Sequence, residues 1–216
     1  LYAVLLTGML IVSVPLVWML SSSLKEELKV MVMPPEFIPN PVKWENYIVA
    51  FNRMTFPLVV RNTAFLAICN VVGICLTASM AAYGFAYLRF PGRDVIFLVL
   101  LSTMMLPGTV TMIPAYLMFR MFGWLDSFLP LIVPNWFGGG IFNIFLIRQF
   151  MLRVSRELCD SARVDGCGYI DIYWRIMLPL SMPALLTVGA FTFIGRWNDF
   201  MGPLIYLDTA DKFVIT

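Results

Sequence analysis

Hydrophobic residues run along this chain in blocks about as long as a bilayer is thick, separated by short polar joints. Crossing the hydrocarbon core takes about 20 mostly apolar residues in a helix. Five stretches without a charged residue reach that length: Leu1–Leu20, Asn62–Leu88, Val95–Phe119, Phe128–Ile147 and Ile176–Gly195. They predict an all-α, polytopic bundle of transmembrane helices, divided into a first span at 1–20, a loop at 21–61 and a core of spans at 62–216. Pro107 and Pro114 in the third stretch and Gly138-Gly139-Gly140 in the fourth predict kinks or thin places. A bundle tolerates these because neighbouring helices re-satisfy the backbone. No basic lead precedes Leu1–Leu20 and no small-residue cleavage site follows it, so a retained span is expected rather than a signal peptide.

The polar joints set an orientation, since Lys and Arg of short loops stay on the cytoplasmic side. Arg89 and Arg93 flank the Phe90-Pro91-Gly92 turn, and Arg148, Arg153, Arg156, Arg163 and Arg175 crowd the segment after the fourth stretch. Both joints, and with them the start of the chain, are expected in the cytoplasm. In the long loop 21–61, Pro34, Pro35, Pro39 and Pro41 enforce an extended path, and then Trp44, Tyr47, Ile48 and Phe51 recur at helical spacing. A short amphipathic helix at the outer interface is predicted, acting as an aromatic anchor in the headgroups or as a contact for an external partner.

Composition narrows the chemistry. The chain is 60% hydrophobic and 13% charged with a net charge of +2, too little and too dispersed to serve a nucleic-acid partner. There is no histidine, and Cys69, Cys75, Cys159 and Cys167 form no close pair, which argues against zinc, haem and a Cys/His dyad. The five stretches carry no ionisable proton relay of the kind a secondary transporter uses. They also hold no paired carboxylates, HExxH or activated serine for intramembrane catalysis, and the chain has no GxxxxGK[ST] nucleotide loop. A membrane scaffold is the remaining bland reading.

The segment 153–180 is too polar at its start to span and too patterned for a linker. Asp160–Val164 reads as a short helix, Gly166 as a sharp turn, and Ile170, Tyr173, Trp174 and Met177 as the apolar stripe of a second helix; Pro179 falls near the start of the next span. The result is a helix-turn-helix bracket beneath the membrane.

This bracket resembles the EAA loop of ABC transporter permeases that work with a solute-binding protein. In that loop an EAA triplet, three residues, a glycine, nine residues and I-x-L-P follow in order. Here Asp160-Ser161-Ala162 stands for the triplet, Arg163, Val164 and Asp165 lead to Gly166, and nine residues lead to Ile176, with Leu178-Pro179 closing the pattern. Asp for Glu and Ser for the first Ala keep a carboxylate and small side chains. Further similarity is to the carbohydrate-uptake branch and its maltose-type second permease, carried by Ser23-Leu24-Lys25, Pro34-Pro35, Ile38-Pro39, Glu45-Asn46-Tyr47, Asn62-Thr63, Ala82–Ala86, Arg89–Gly92 and Trp197–Phe200.

The resemblance implies a multi-pass inner-membrane importer subunit that is not itself an enzyme. Asp160, Ser161, Ala162, Asp165, Gly166, Ile176, Leu178 and Pro179 would form the coupling loop. The small residues would allow close approach to an ABC ATPase dimer, and that dimer, not this chain, would bind ATP and Mg. A second permease, in a heterodimer, and an extracytoplasmic solute-binding protein are the other implied partners. Such permeases usually have six spans, so a sixth is expected beyond the sequence. The implied cargo is a sugar, a mono- or oligosaccharide, with a non-sugar solute as the alternative. Asn135, Trp136, Trp197, Asn198 and Asp199 are candidates for its path, because polar and aromatic groups near span ends suit hydroxyl-rich solutes; their bland reading is anchoring and helix capping.

Overall fold

A computed structural model describes residues 1–53 and 55–215 and is helical throughout, with no strand among the described residues. It resolves into two compact units, Leu1–Pro57 and Leu58–Thr216. The first unit holds α1 (Tyr2–Ser23) and α2 (Glu45–Arg53). Its loop folds back on the end of α1 through Asn46, whose amide donates to the carbonyls of Ser23 (3.0 Å) and Lys25 (2.7 Å). Lys25 is buried over the Trp18 ring, 4.0 Å from its centroid, and donates to the Glu36 carbonyl. The expected amphipathic helix is α2, whose Tyr47, Ile48 and Phe51 remain exposed beside Trp44.

The second unit is built on α3 (Phe56–Ala86), which begins six residues before the expected Asn62 and takes in Arg61. The third apolar block is not one straight helix. α4 (Arg93–Ser102) continues as a short 3-10 turn to Met105, α5 (Gly108–Met121) follows, and the two meet at 98°. Pro107 causes this: it sits extended at ψ 132, and a proline pushes the residue before it, Leu106 at ψ 117, out of the helical region. The fourth block starts with α6 (Leu129–Ile132) and a 3-10 turn to Trp136, breaks at Gly138–Gly140, and resumes as α7 (Ile141–Met151), four residues past the expected end.

α8 (Arg156–Val164) then leads through a turn to α9 (Tyr169–Ile172), a π-turn at Tyr173–Met177 and α10 (Leu178–Leu180). α11 (Met182–Trp197) leaves that arm at 73°. The expected fifth span is thus bent, with Ile176–Leu180 in the bracket arm and Met182–Trp197 beyond the bend. α12 (Met201–Tyr206) closes the unit. Three segments, Tyr2–Ser23, Phe56–Ala86 and Leu129–Met151, suffice alone to cross a bilayer, and counting each bent pair as one gives five.

The core lies along the small-residue face of α3. Ala78, Ser79 and Ala82 are fully buried, letting Ile144, Ile147, Ile172 and Val188 from α7, α9 and α11 close in. Gly73 marks the tightest approach, since a Cβ there would lie 2.1 Å from the Trp136 indole nitrogen.

Candidate functional site

The bracket is ordered by local chemistry. Ser155 caps α8 by accepting from the Glu157 N–H (3.2 Å), which lengthens the helix to Arg156 rather than the expected Asp160. At the other end Gly166 takes φ +87, its N–H donates to Arg163 (3.1 Å), and the Cys167 N–H donates to Ala162 (2.9 Å). These are the two bonds of a Schellman stop, which needs a residue at positive φ. Open space surrounds Gly166, so backbone conformation, not crowding, demands glycine. The Arg163 guanidinium lies over the Tyr169 ring, 4.9 Å from its centroid, and the Asp171 carboxylate accepts from the Gly168 N–H (3.3 Å) to start the second arm.

Two faces of α8 do different things. Cys159 and Ala162 point inward and are buried, and burial first, then the Asp160 charge, pushes the Cys159 thiol up and keeps it inert. Asp160, Ser161, Val164 and Asp165 point outward, Val164 at 89% exposure, with Leu158 beside them. Ala162 thus serves internal packing and is not available for the close approach expected of it. In the second arm Ile172, Tyr173 and Met177 are buried and Ile176 and Leu178 pack beside them, while Ile170, Trp174 and Pro179 face out. The predicted stripe fails at Ile170, which is exposed ahead of the π-turn, and at Trp174, inside the π-turn at Tyr173–Met177 where the helical repeat widens.

Tyrosines pin the bracket to α3. The buried Tyr173 hydroxyl pairs with Ser79 (2.8 Å), and the Tyr83 hydroxyl donates to the Tyr169 carbonyl (3.0 Å). Tyr83 also stacks on Tyr87 at 5.4 Å. Within the bracket the Cys159 thiol meets the Met177 sulfur at 3.7 Å. Tyr173 and Met177 were expected on the inner stripe, but the hydroxyl bonds of Tyr83 and Tyr173 were not read from sequence; the four-residue spacing of tyrosines at 83 and 87 and at 169 and 173 was the available signal.

The five cargo-path candidates separate. Asn135 and Asp199 are joined by Arg196, which donates to Asn135 Oδ1 (2.9 Å) and Asp199 Oδ2 (3.1 Å). Arg196 and Asp199 line a cleft of about 380 Å³ with Asn143, Thr192, Phe191 and Gly139. Trp136 instead donates to the Cys69 carbonyl (3.1 Å) and packs on α3. Trp197 stacks on Phe193, and Asn198 bonds back to the Ile194 carbonyl (2.8 Å), which is the helix-end role. Arg196, Asn143 and Thr192 were missed, although a cation three residues before an aspartate at the end of an apolar block was a readable sign.

At the Phe56 end of α3 a second polar device ties down the segment 208–215. Asp126, at φ +51, accepts from the backbone N–H of Thr209 (3.0 Å) and from the Lys212 ammonium (2.8 Å). Lys212 first and Thr209 next hold its carboxyl well below the usual carboxylate range. Asn62 donates to the carbonyls of Asp211 (2.8 Å) and Phe213 (3.0 Å), and Thr63 accepts from the Ile215 N–H (3.0 Å).

Comparison with known proteins agrees with this architecture. Residues 73–210 match the family model described as "Binding-protein-dependent transport system inner membrane component". The chain is 30% identical to the sn-glycerol-3-phosphate transport system permease protein UgpE of Yersinia enterocolitica, over 97% of the chain and 76% of that protein. It is 28% identical to the diacetylchitobiose uptake system permease protein NgcG of Streptomyces coelicolor, over 100% of the chain and 71% of that protein. A crystal structure of a bacterial ABC transporter that imports the acidic polysaccharide alginate contains a chain that superposes with a TM-score of 0.83. That match has 28% identity and covers 98% of this chain and 74% of that one.

Proposed function

The chain belongs to the binding-protein-dependent transport system inner membrane component family, and from that membership we propose that it moves a sugar across the membrane in an ATP-driven importer. Its relatives carry diacetylchitobiose and sn-glycerol-3-phosphate, and its structural neighbour imports alginate; all three solutes are rich in hydroxyls. The cleft at Arg196, Asp199, Asn143 and Thr192 supports that substrate class, because it sets amide, hydroxyl and charged groups beside the Phe191 ring.

ATP and Mg belong in this reading to a separate ABC ATPase dimer. A second permease completes the pore and a solute-binding protein delivers the cargo from outside. The arginine-rich joints at 89–93 and 148–175 face the cytoplasm, as does the start of the chain.

One observation carries the coupling assignment. α8 ends at a glycine-dependent stop, offers Leu158, Ser161 and Val164 outward beside Asp160 and Asp165, packs inward through Cys159 and Ala162, and is followed by a second arm that Tyr169 and Tyr173 tie to α3. A rigid element of this kind passes a displacement on as a discrete rearrangement.

The test is Gly166→Pro. Proline cannot adopt φ +87, removes the N–H given to Arg163, and disfavours the near-helical backbone of Asp165. Membrane insertion is expected to stay normal while ATPase co-purification and solute uptake fall together. Normal uptake by a well-inserted variant would refute the assignment.

A further inference from the structure

We propose that the clefts around Arg89 and Arg156 bind the phosphate headgroup of an anionic phospholipid. The inference rests on the placement of these joints at the inner leaflet, and not on the bracket's coupling to an ATPase.

Two adjoining clefts share Arg89 and Arg156. The first, of about 440 Å³, runs from Phe90 and Gly92 to Arg93, Asp94 and Val95. The second, of about 350 Å³, runs under Tyr87 and Tyr169 to Asp160 and Arg163. Of the other charges here, Arg93, Asp94 and Arg163 have partners. Arg93 donates to the Leu88 carbonyl (3.2 Å) and pairs with Asp94 (3.0 Å), Asp94 also lies 3.9 Å from Arg148, and Arg163 covers the Tyr169 ring. Among the described residues no carboxylate lies within ion-pair distance of Arg89 or Arg156. The carboxylates nearby in the clefts, Asp94 and Asp160, are outnumbered by Arg89, Arg93, Arg156 and Arg163.

Two guanidinium forks without a carboxylate suit the oxygens of a phosphodiester. A lipid is favoured over a soluble phosphate because Val95 lines the cleft in the first turn of α4, where Val95, Leu98 and Val99 are 67%, 66% and 59% exposed. That apolar face gives acyl chains a track beginning at the headgroup site. Basic pockets at helix ends are a recurrent form of lipid recognition.

The test places the full chain in nanodiscs of equimolar phosphatidylglycerol and phosphatidylcholine and counts retained phosphatidylglycerol by native mass spectrometry after mild extraction. Arg89→Ala/Arg156→Ala should retain roughly 25-fold less, about 5-fold for each arginine. Arg153→Ala lies outside both clefts and should match the parent, and Arg89→Lys/Arg156→Lys, which keeps the charge and the fold, should fall between. Equal retention by the alanine and parent chains overturns the site. Displacement of the lipid by millimolar inorganic phosphate overturns the lipid in favour of a soluble anion, and its loss on assembly with the ATPase overturns it in favour of a protein contact.

Discussion

The two ends of α3 hold two devices made from opposite materials. At the Ala86 end, the bracket is fixed by burial, with Ile172, Tyr173, Met177, Cys159 and Ala162 closed over α3 and, among the described residues, two phenol hydrogen bonds crossing the seam. At the Phe56 end, the segment 208–215 is fixed by polar bonds, with Asp126, Asn62 and Thr63 each taking two or more partners or closing on a backbone group. The bracket keeps apolar groups facing out, Val164 and Trp174 among them, whereas the device at the Phe56 end spends its polar groups on itself. An element that must hold its shape while something pulls on it is better served by interlocked side chains than by exposed hydrogen bonds. The first region has the make-up of an interface and the second that of a latch.

If burial fixes the bracket, truncating its best-buried aliphatic residue should have the largest effect. Ile172→Ala is expected to destabilise by about 2–5 kcal/mol, visible as a lowered melting temperature in detergent and as loss of the bracket from protease protection. A melting temperature equal to the parent's would show that the arm is held by something else. The phenol bonds should matter less. A double-mutant cycle of Ser79→Ala and Tyr173→Phe should return a coupling of about 0.6 kcal/mol, typical for hydrogen bonds between membrane helices. A coupling of several kcal/mol would reverse the ranking and make the hydroxyl pair the principal bolt.

The same contrast explains what could be read from sequence. Long apolar blocks announced the helices, and the spacing around Gly166 announced the bracket, because both depend on order along the chain. Burial depends on what lies across from a residue. Ile170 and Trp174 were assigned inward on a 3.6-residue repeat that the π-turn breaks at Trp174, and Ala162 was expected to allow close approach from outside although it is buried in the core. The bend at Pro107 was visible as a kink, but its 98° was not, since a kink in sequence has no angle. The Arg196 link between Asn135 and Asp199 spans 61 residues of sequence on one side, so only the fold could join what spacing left as separate candidates.

The smallest expected effect concerns the latch, and its pH dependence has a definite sign. Asp126 has its carboxyl lowered in the fold by Lys212 and Thr209, so the unfolded chain binds the proton more readily than the folded one. Its contribution is therefore complete above the unfolded value of about 3.9 and is lost only as pH falls from there through the lower folded value. The pair lies near the surface, about one-third accessible on each side chain, and such ion pairs contribute little, so Asp126→Asn should lower the melting temperature slightly at neutral pH in low salt and less in high salt. That gap should stay constant from neutral down to about pH 5 and close below about pH 3.9. A gap that closed between pH 5 and 7 would mean that a different group titrates at this end, and the latch would then owe its hold to Asn62 and Thr63 rather than to the carboxylate.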